Sequence, residues 1–105
     1  MIKRFITRGI VMTSGVNASI KREEFNSMEL LQLVERHFAN DGDECKEDKE
    51  MNEYAIKHKD GRVFSSFKNF HGKTMFIITD GLHLANDPKY GMNYPHTTIM
   101  YAEEY

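Results

Sequence analysis

The chain has 105 residues and a mass of 12.3 kDa, a length that fits a single domain over residues 1–105 with one core. A hydrophobic fraction of 40% and an aromatic fraction of 11% exclude disorder, and a formal net charge of −2 argues against a generally basic nucleic-acid binder. Cys45 is the only cysteine, which excludes a disulfide within the chain and makes a reducing cytoplasm the expected compartment; no apolar run approaches the roughly 20 residues that span a bilayer.

Phe5 to Thr13 is rich in β-branched and apolar residues and reads as a first strand, closed by the turn signal Ser14-Gly15. A short helical turn over Val16 to Ile20, capped by Ser14, is an open alternative for the residues after that strand. The strongest helix signal comes next. Asn26 is a capping residue with Glu29 three positions on, and Leu30, Leu31, Val34 and Phe38 lie beyond it at helical spacing, with Leu33 and His37 widening the apolar side. Asn40-Asp41-Gly42 ends that helix.

The pattern restarts after Asp43. Glu47 to Lys57 contains neither Gly nor Pro, and Met51, Tyr54, Ala55 and Ile56 predict a narrow buried stripe on an otherwise charged helix that stops at Asp60-Gly61. Arg62 to Phe70 and Lys73 to Thr79 predict two strands joined at His71-Gly72 as an antiparallel hairpin. Asp80 to His96 is a long turn-rich excursion of the kind that often carries function, and Thr97 to Ala102 returns as the last strand. The expected fold is α+β: a small antiparallel sheet with about two helices on one side, in the order β-α-α-β-β-β.

The chemistry concentrates in one block. Asp41 to Glu53 carries seven carboxylates against Lys46 and Lys49. A calcium loop of the EF-hand type starting at Asp41 requires a ligand at its fifth position, Gly at its sixth and Glu at its twelfth, but those positions hold Cys45, Lys46 and Asn52. The five histidines are scattered, and Cys45 has no Cys or His at zinc-finger spacing, so no metal or other cofactor is expected. A Cys45 nucleophile assisted by His37 lacks any recognised cysteine-enzyme motif, and Asp43, Glu44 and Glu47 beside it oppose thiolate formation. Gly81 and Gly91 are isolated and form no phosphate-cradling loop. Lys68 and Lys73 beside Phe67, Phe70 and Phe76 suggest an aromatic, basic nucleic-acid platform, but alternating strand aromatics more often fill a core. A charge run of this kind most simply forms a solvated helix face.

Three stretches together carry a likeness: "RGIVMTSGV", "HFANDGDECKEDKEMNEYAI" with the subsequent "GRVFSSF", and "FIITD" with the later "TTIMYAEEY". Through His37, Gly42-Asp43, Glu47-Asp48, Asn52, Ala55 and Ile56, the chain resembles a family of short plasmid-related proteins of bacterial mobile elements, whose cargo includes anti-CRISPR proteins. It departs from the family pattern at Glu44, where an aromatic often stands, and in the length of Leu82 to His96. The resemblance implies no enzymatic activity. It implies an accessory protein that binds a protein partner, with a CRISPR effector as the leading candidate. Clustered carboxylates mimic phosphates and can occupy a basic channel, which points to Asp41, Asp43, Glu44, Glu47, Asp48 and Glu50 as the contact residues; Phe64, Phe67 or the long loop near Tyr90 and Tyr94 are the alternative contact, since aromatics are common interface anchors. The alternative is a small nucleic-acid-binding regulator that uses Lys3, Arg4, Arg8, Lys21 and Arg22.

Overall fold

The structure, a computed structural model, describes residues 3–105. The fold is α+β, with the order β1 (Gly9–Met12), α1 (Ser14–Lys21), α2 (Ser27–Phe38), α3 (Lys46–His58), β2 (Val63–Phe70), β3 (Lys73–Asp80) and β4 (His96–Tyr101). Two 3-10 turns, Leu82–Leu84 and Ala102–Glu104, flank β4. The sheet order is β1-β4-β3-β2.

The expected hairpin forms. β2 and β3 pair antiparallel from Val63↔Thr79 to Phe70↔Lys73 around His71-Gly72, whose φ angles of 51° and 82° give the twist that a two-residue hairpin turn needs. β3 and β4 also pair antiparallel, but β1 lies parallel to β4, Gly9 opposite His96 and Met12 opposite Ile99. The sheet is therefore mixed, which corrects the purely antiparallel expectation. A strand that pairs with its sequence neighbour through a tight turn must be antiparallel, whereas β1 pairs with the last strand across most of the chain, a connection long enough to allow either direction.

The first strand is also shorter than its composition suggests. Phe5 leaves the sheet and packs its ring 5.3 Å from that of His37 and 5.1 Å from that of Phe38, while the Arg4 amide donates to the Phe38 carbonyl at 3.0 Å. Ser14–Lys21 is a full helix, the third where about two were expected. Its start is fixed from the far end of the chain: the Glu104 carboxylate accepts from Thr13 Oγ1 at 2.7 Å and from the Gly15 amide at 3.2 Å. A carboxylate at a helix N-terminus satisfies otherwise unpaired amides and complements the dipole. Partial desolvation raises the Glu104 pKa, but these hydrogen bonds outweigh it and hold the carboxyl below the usual range.

α2 obeys its sequence signals closely. Asn26 accepts from the Glu29 amide at 2.9 Å, and Leu30, Leu33, Val34, His37 and Phe38 are buried, whereas Leu31 faces solvent. These side chains join Val16 of α1 and Ala55 of α3 over one face of the sheet, against Val63, Phe67, Met75, Ile77, Ile99 and Tyr101. Burying each such large side chain contributes roughly 1.5–3 kcal/mol. On the opposite face Phe64, Phe76, Thr98 and Met100 are half-buried, while Ile78 and Ser66 between them are buried.

One polar chain crosses this core. His37 is fully buried, with Nδ1 2.6 Å from Ser65 Oγ and Nε2 2.8 Å from Thr79 Oγ1. Thr79 Oγ1 is 2.8 Å from Thr97 Oγ1, which is 2.7 Å from Thr7 Oγ1, and Thr7 donates to the Gly9 and Pro95 carbonyls. Because the Thr7 proton goes to carbonyls, Thr97 must donate to Thr7 and Thr79 to Thr97. His37 therefore donates from Nε2 to Thr79 and accepts at Nδ1 from Ser65, a neutral imidazole with both nitrogens satisfied. Burial pushes its pKa down to about 3.

Candidate interaction surface

The acidic block divides into two kinds of residue. Asp43 and Glu44 work inside the fold. The Asp43 amide donates to the Ser66 carbonyl at 2.7 Å, its carboxylate accepts from the Lys68 amide at 3.0 Å, and Glu44 Oε1 accepts from the Ser66 amide at 3.1 Å. Asn52, from the second turn of α3, completes the row: it accepts from the Phe64 amide at 2.9 Å and donates to the Phe64 carbonyl at 2.6 Å. β2 is an edge strand, so these side chains take the place of a neighbouring strand and occupy backbone groups at residues 64, 66 and 68.

Glu44 is accordingly 8% exposed, which corrects its place among the six acids expected to make the contact. Gly42 makes room for it: a Cβ there would lie 2.2 Å from Glu44 Oε1 and 3.1 Å from the Ser66 carbonyl oxygen. Gly42→Ala is expected to lower the unfolding free energy by about 1–3 kcal/mol, the usual cost of overpacking, in urea titrations monitored by circular dichroism. Partial desolvation raises the Asp43 pKa, but the Lys68 amide and the Arg36 guanidinium, 3.1 Å from Oδ1, together bring it below the ordinary value. Asp41 lies on the exposed rim beside the same arginine.

Glu47, Asp48 and Glu50 belong to the second kind. Glu47 and Glu50 are exposed on α3 and Asp48 is half-buried. With Met51 and Tyr54, Glu47 and Glu50 occupy the helix side turned away from Asn52 and Ala55, the two residues of α3 that are buried, whereas Asp48 stands one turn before Asn52 on the same side as it and borders Met51. Of the stripe predicted for α3, Ala55 is buried and Ile56 packs against the core, but Met51 is 70% exposed and Tyr54 62%, which corrects those two positions. The inward side is instead chosen by Asn52 docking onto the β2 edge, and that orientation swings Met51 and Tyr54 outward. The Tyr54 ring sits 4.2 Å from that of His58 one turn later.

From Met51 the exposed apolar surface continues into a groove of about 400 Å³ between α3 and the outer sheet face, where Asp48, Met51 and Asn52 face Arg62, Phe64, Phe76 and Tyr105. Phe64 packs edge-on to Phe76 at 4.8 Å, and Arg62 donates to the Tyr105 hydroxyl at 3.0 Å. Of the other aromatics singled out in the sequence, Phe67 is in the core and Tyr90 and Tyr94 pack together in the loop before β4, 6.4 Å apart and away from this groove. That loop is tied down by Leu82, which is buried and whose amide donates to the Gly61 carbonyl at 3.1 Å.

The basic residues of the alternative reading do not gather in the same way. Arg4 forms a two-point ion pair with Glu53 at 2.8 and 2.6 Å, and Arg22 pairs with Glu24 at 2.8 Å. Hydrogen bonding to Arg4 lowers the Glu53 pKa. Lys3 lies over the Phe38 ring, and Arg8 and Lys21 are exposed. Cys45 is exposed while His37 is buried with both nitrogens occupied, so the two do not form a nucleophile–base pair.

Among the described residues no group of three or more His, Cys, Asp or Glu side chains is placed to hold a metal ion, and no helix is long and apolar enough to cross a membrane. Comparisons with protein-family models, with curated proteins and with solved structures find no match to this chain.

Proposed function

We propose that this protein is a non-enzymatic accessory protein of a mobile element that binds a protein partner through the outer side of α3, and that the partner is a nucleic-acid-binding effector of host defence, a CRISPR effector first among them. The observation that carries this reading is the exposure of Met51 and Tyr54 directly beside Glu47, Asp48 and Glu50. Large apolar side chains held in solvent on a rigid helix, rimmed by charge, are the composition of a binding site: the apolar groups supply burial energy and the rim supplies orientation and rate. A carboxylate rim selects a basic surface, and the basic channel that grips nucleic acid on an effector is such a surface.

Asp41 and Asp43 extend the acidic rim at the loop before α3, although Asp43 is committed to Lys68 and Arg36 as well. Glu44 contributes only by holding that loop in place. Two variants separate the contributions. Glu47→Lys with Asp48→Lys and Glu50→Lys should weaken capture of a purified effector by about tenfold or more and abolish its salt dependence, since several steered charges are lost together. Met51→Ala with Tyr54→Ala should weaken capture by a similar factor and leave the salt dependence in place. Neither set of changes touches the core, so far-ultraviolet dichroism should be unchanged. Equal binding by wild type and both variants would sink the assignment, and direct retention of DNA or RNA by the purified protein would favour the regulator reading.

A further inference from the structure

The two edges of the sheet are treated in opposite ways. The β2 edge is covered by Asp43, Glu44 and Asn52. Among the described residues the β1 edge has no such cover. Its four residues, Gly-Ile-Val-Met, include neither a charge nor a proline, and Ile10 and Val11 are each 46% exposed and Met12 42%. Edge strands present unpaired backbone groups, and proteins that remain monomeric blunt them with lysine, proline, bulges or a covering segment. This fold covers one edge and leaves an apolar one open.

We infer that β1 pairs antiparallel with β1 of a second copy across a two-fold axis, giving one continuous eight-stranded sheet. Charge decides both the occupant and the direction. Arg8 stands at the start of the strand, exposed and without an ion-pair partner among the described residues. At the other end Thr13 holds the Glu104 carboxylate at 2.7 Å. Antiparallel pairing brings Arg8 of each copy toward Glu104 of the other, twice by symmetry, whereas parallel pairing would set the two arginines against each other. The edge is self-complementary in backbone, apolar side chains and charge, which fits a second copy better than a foreign strand.

Because β2 lies at the far edge, the pairing leaves both α3 surfaces free. The two β2 strands would then be separated by seven inter-strand spacings, about 34 Å at 4.8 Å each. A partner with two basic sites at that separation would be held bivalently. The dimer itself does not depend on the function proposed for α3.

Sedimentation equilibrium of the full chain tests the inference. A four-residue strand gives a small interface, so a monomer–dimer equilibrium with a midpoint on the order of 100 µM is expected. Val11→Lys and, separately, Arg8→Glu should each raise the dissociation constant by about tenfold or more, because every change occurs twice in the interface. Both positions are exposed, so the monomer fold should persist by circular dichroism. In the wild type, amide exchange of Gly9 to Met12 should slow as concentration rises while that of Val63 to Phe70 stays constant. A protein that remains monomeric to about 1 mM, well above the expected midpoint, overturns the inference. So does a dimer indifferent to both substitutions, or a monomer whose β1 edge is protected only by an added extended peptide.

Discussion

Acidification from about pH 7 to about pH 4.5 is expected to remove about 3 kcal/mol of stability through His37 alone, because its pKa near 3 in the fold lies far below the ordinary value of 6.5. The sign is set by which state takes up the proton. Above pH 6.5 the imidazole is neutral in folded and unfolded chains alike, and its contribution is complete. Below that value the unfolded chain is protonated while the folded chain resists, so stability falls by about 1.4 kcal/mol per pH unit until the folded pKa near 3 is reached. Asp43, Glu53 and Glu104, whose carboxyls are held below their ordinary range, add their own losses only at lower pH.

Urea unfolding of wild type and His37→Gln across this window isolates the effect. Glutamine offers one donor and one acceptor in place of the two ring nitrogens, so at pH 7 it should cost about 1–3 kcal/mol through imperfect hydrogen bonds to Ser65 and Thr79. Between about pH 6.5 and about pH 4.5 its stability should be nearly flat where that of the wild type declines. An identical decline in the variant would assign the acid sensitivity elsewhere.

Asn52→Ala should cost about 2–4 kcal/mol, since it leaves both the amide and the carbonyl of Phe64 without their partner at a site where Asn52 is 2% exposed. It should also uncover part of the β2 edge, so the variant is expected to aggregate during refolding at concentrations where the wild type stays clear. Glu44→Gln is the matching control. Its amide oxygen can still accept from the Ser66 amide, although its NH2 cannot accept from Asn52 Nδ2 as Oε2 does at 3.4 Å, so the loss should stay at about 1–2 kcal/mol, and light scattering should not rise. Asn52→Ala unfolding within about 0.5 kcal/mol of wild type would show that water replaces the side chain at this edge.

The same edge explains why the acidic block reads ambiguously. A run of carboxylates looks uniform in one dimension, and the favoured reading of such a run, a solvated helix face, describes Glu47 and Glu50 well. It does not describe Asp43 and Glu44, whose partners at Ser66 and Lys68 lie more than twenty positions away in the chain. Gly42-Asp43-Glu44 between two helices, with Asn52 in the second of them and a strand after it, is the one sequence signal that could have suggested an edge cover, and only with the knowledge that the strand would be an edge.

Local chemistry settled those parts of the protein whose causes are local. Asn26 and the spacing of Leu30, Val34 and Phe38 determine α2, His71-Gly72 determines the hairpin, and α3 stops next to Asp60-Gly61, with Lys59 taking the left-handed turn, because each depends on residues a few positions apart. The α+β class is their sum. The tertiary structure alone decided the parallel pairing of β1 with β4, the hydroxyls of Ser65 and Thr79 that meet His37 on the inward side its helical spacing already gave it, and the exposure of Met51 and Tyr54. Helical periodicity says that a helix has an inward side, but on α3 the apolar positions are few. One asparagine satisfying two backbone groups of a distant strand fixes the rotation, and with it the surface that α3 turns to solvent.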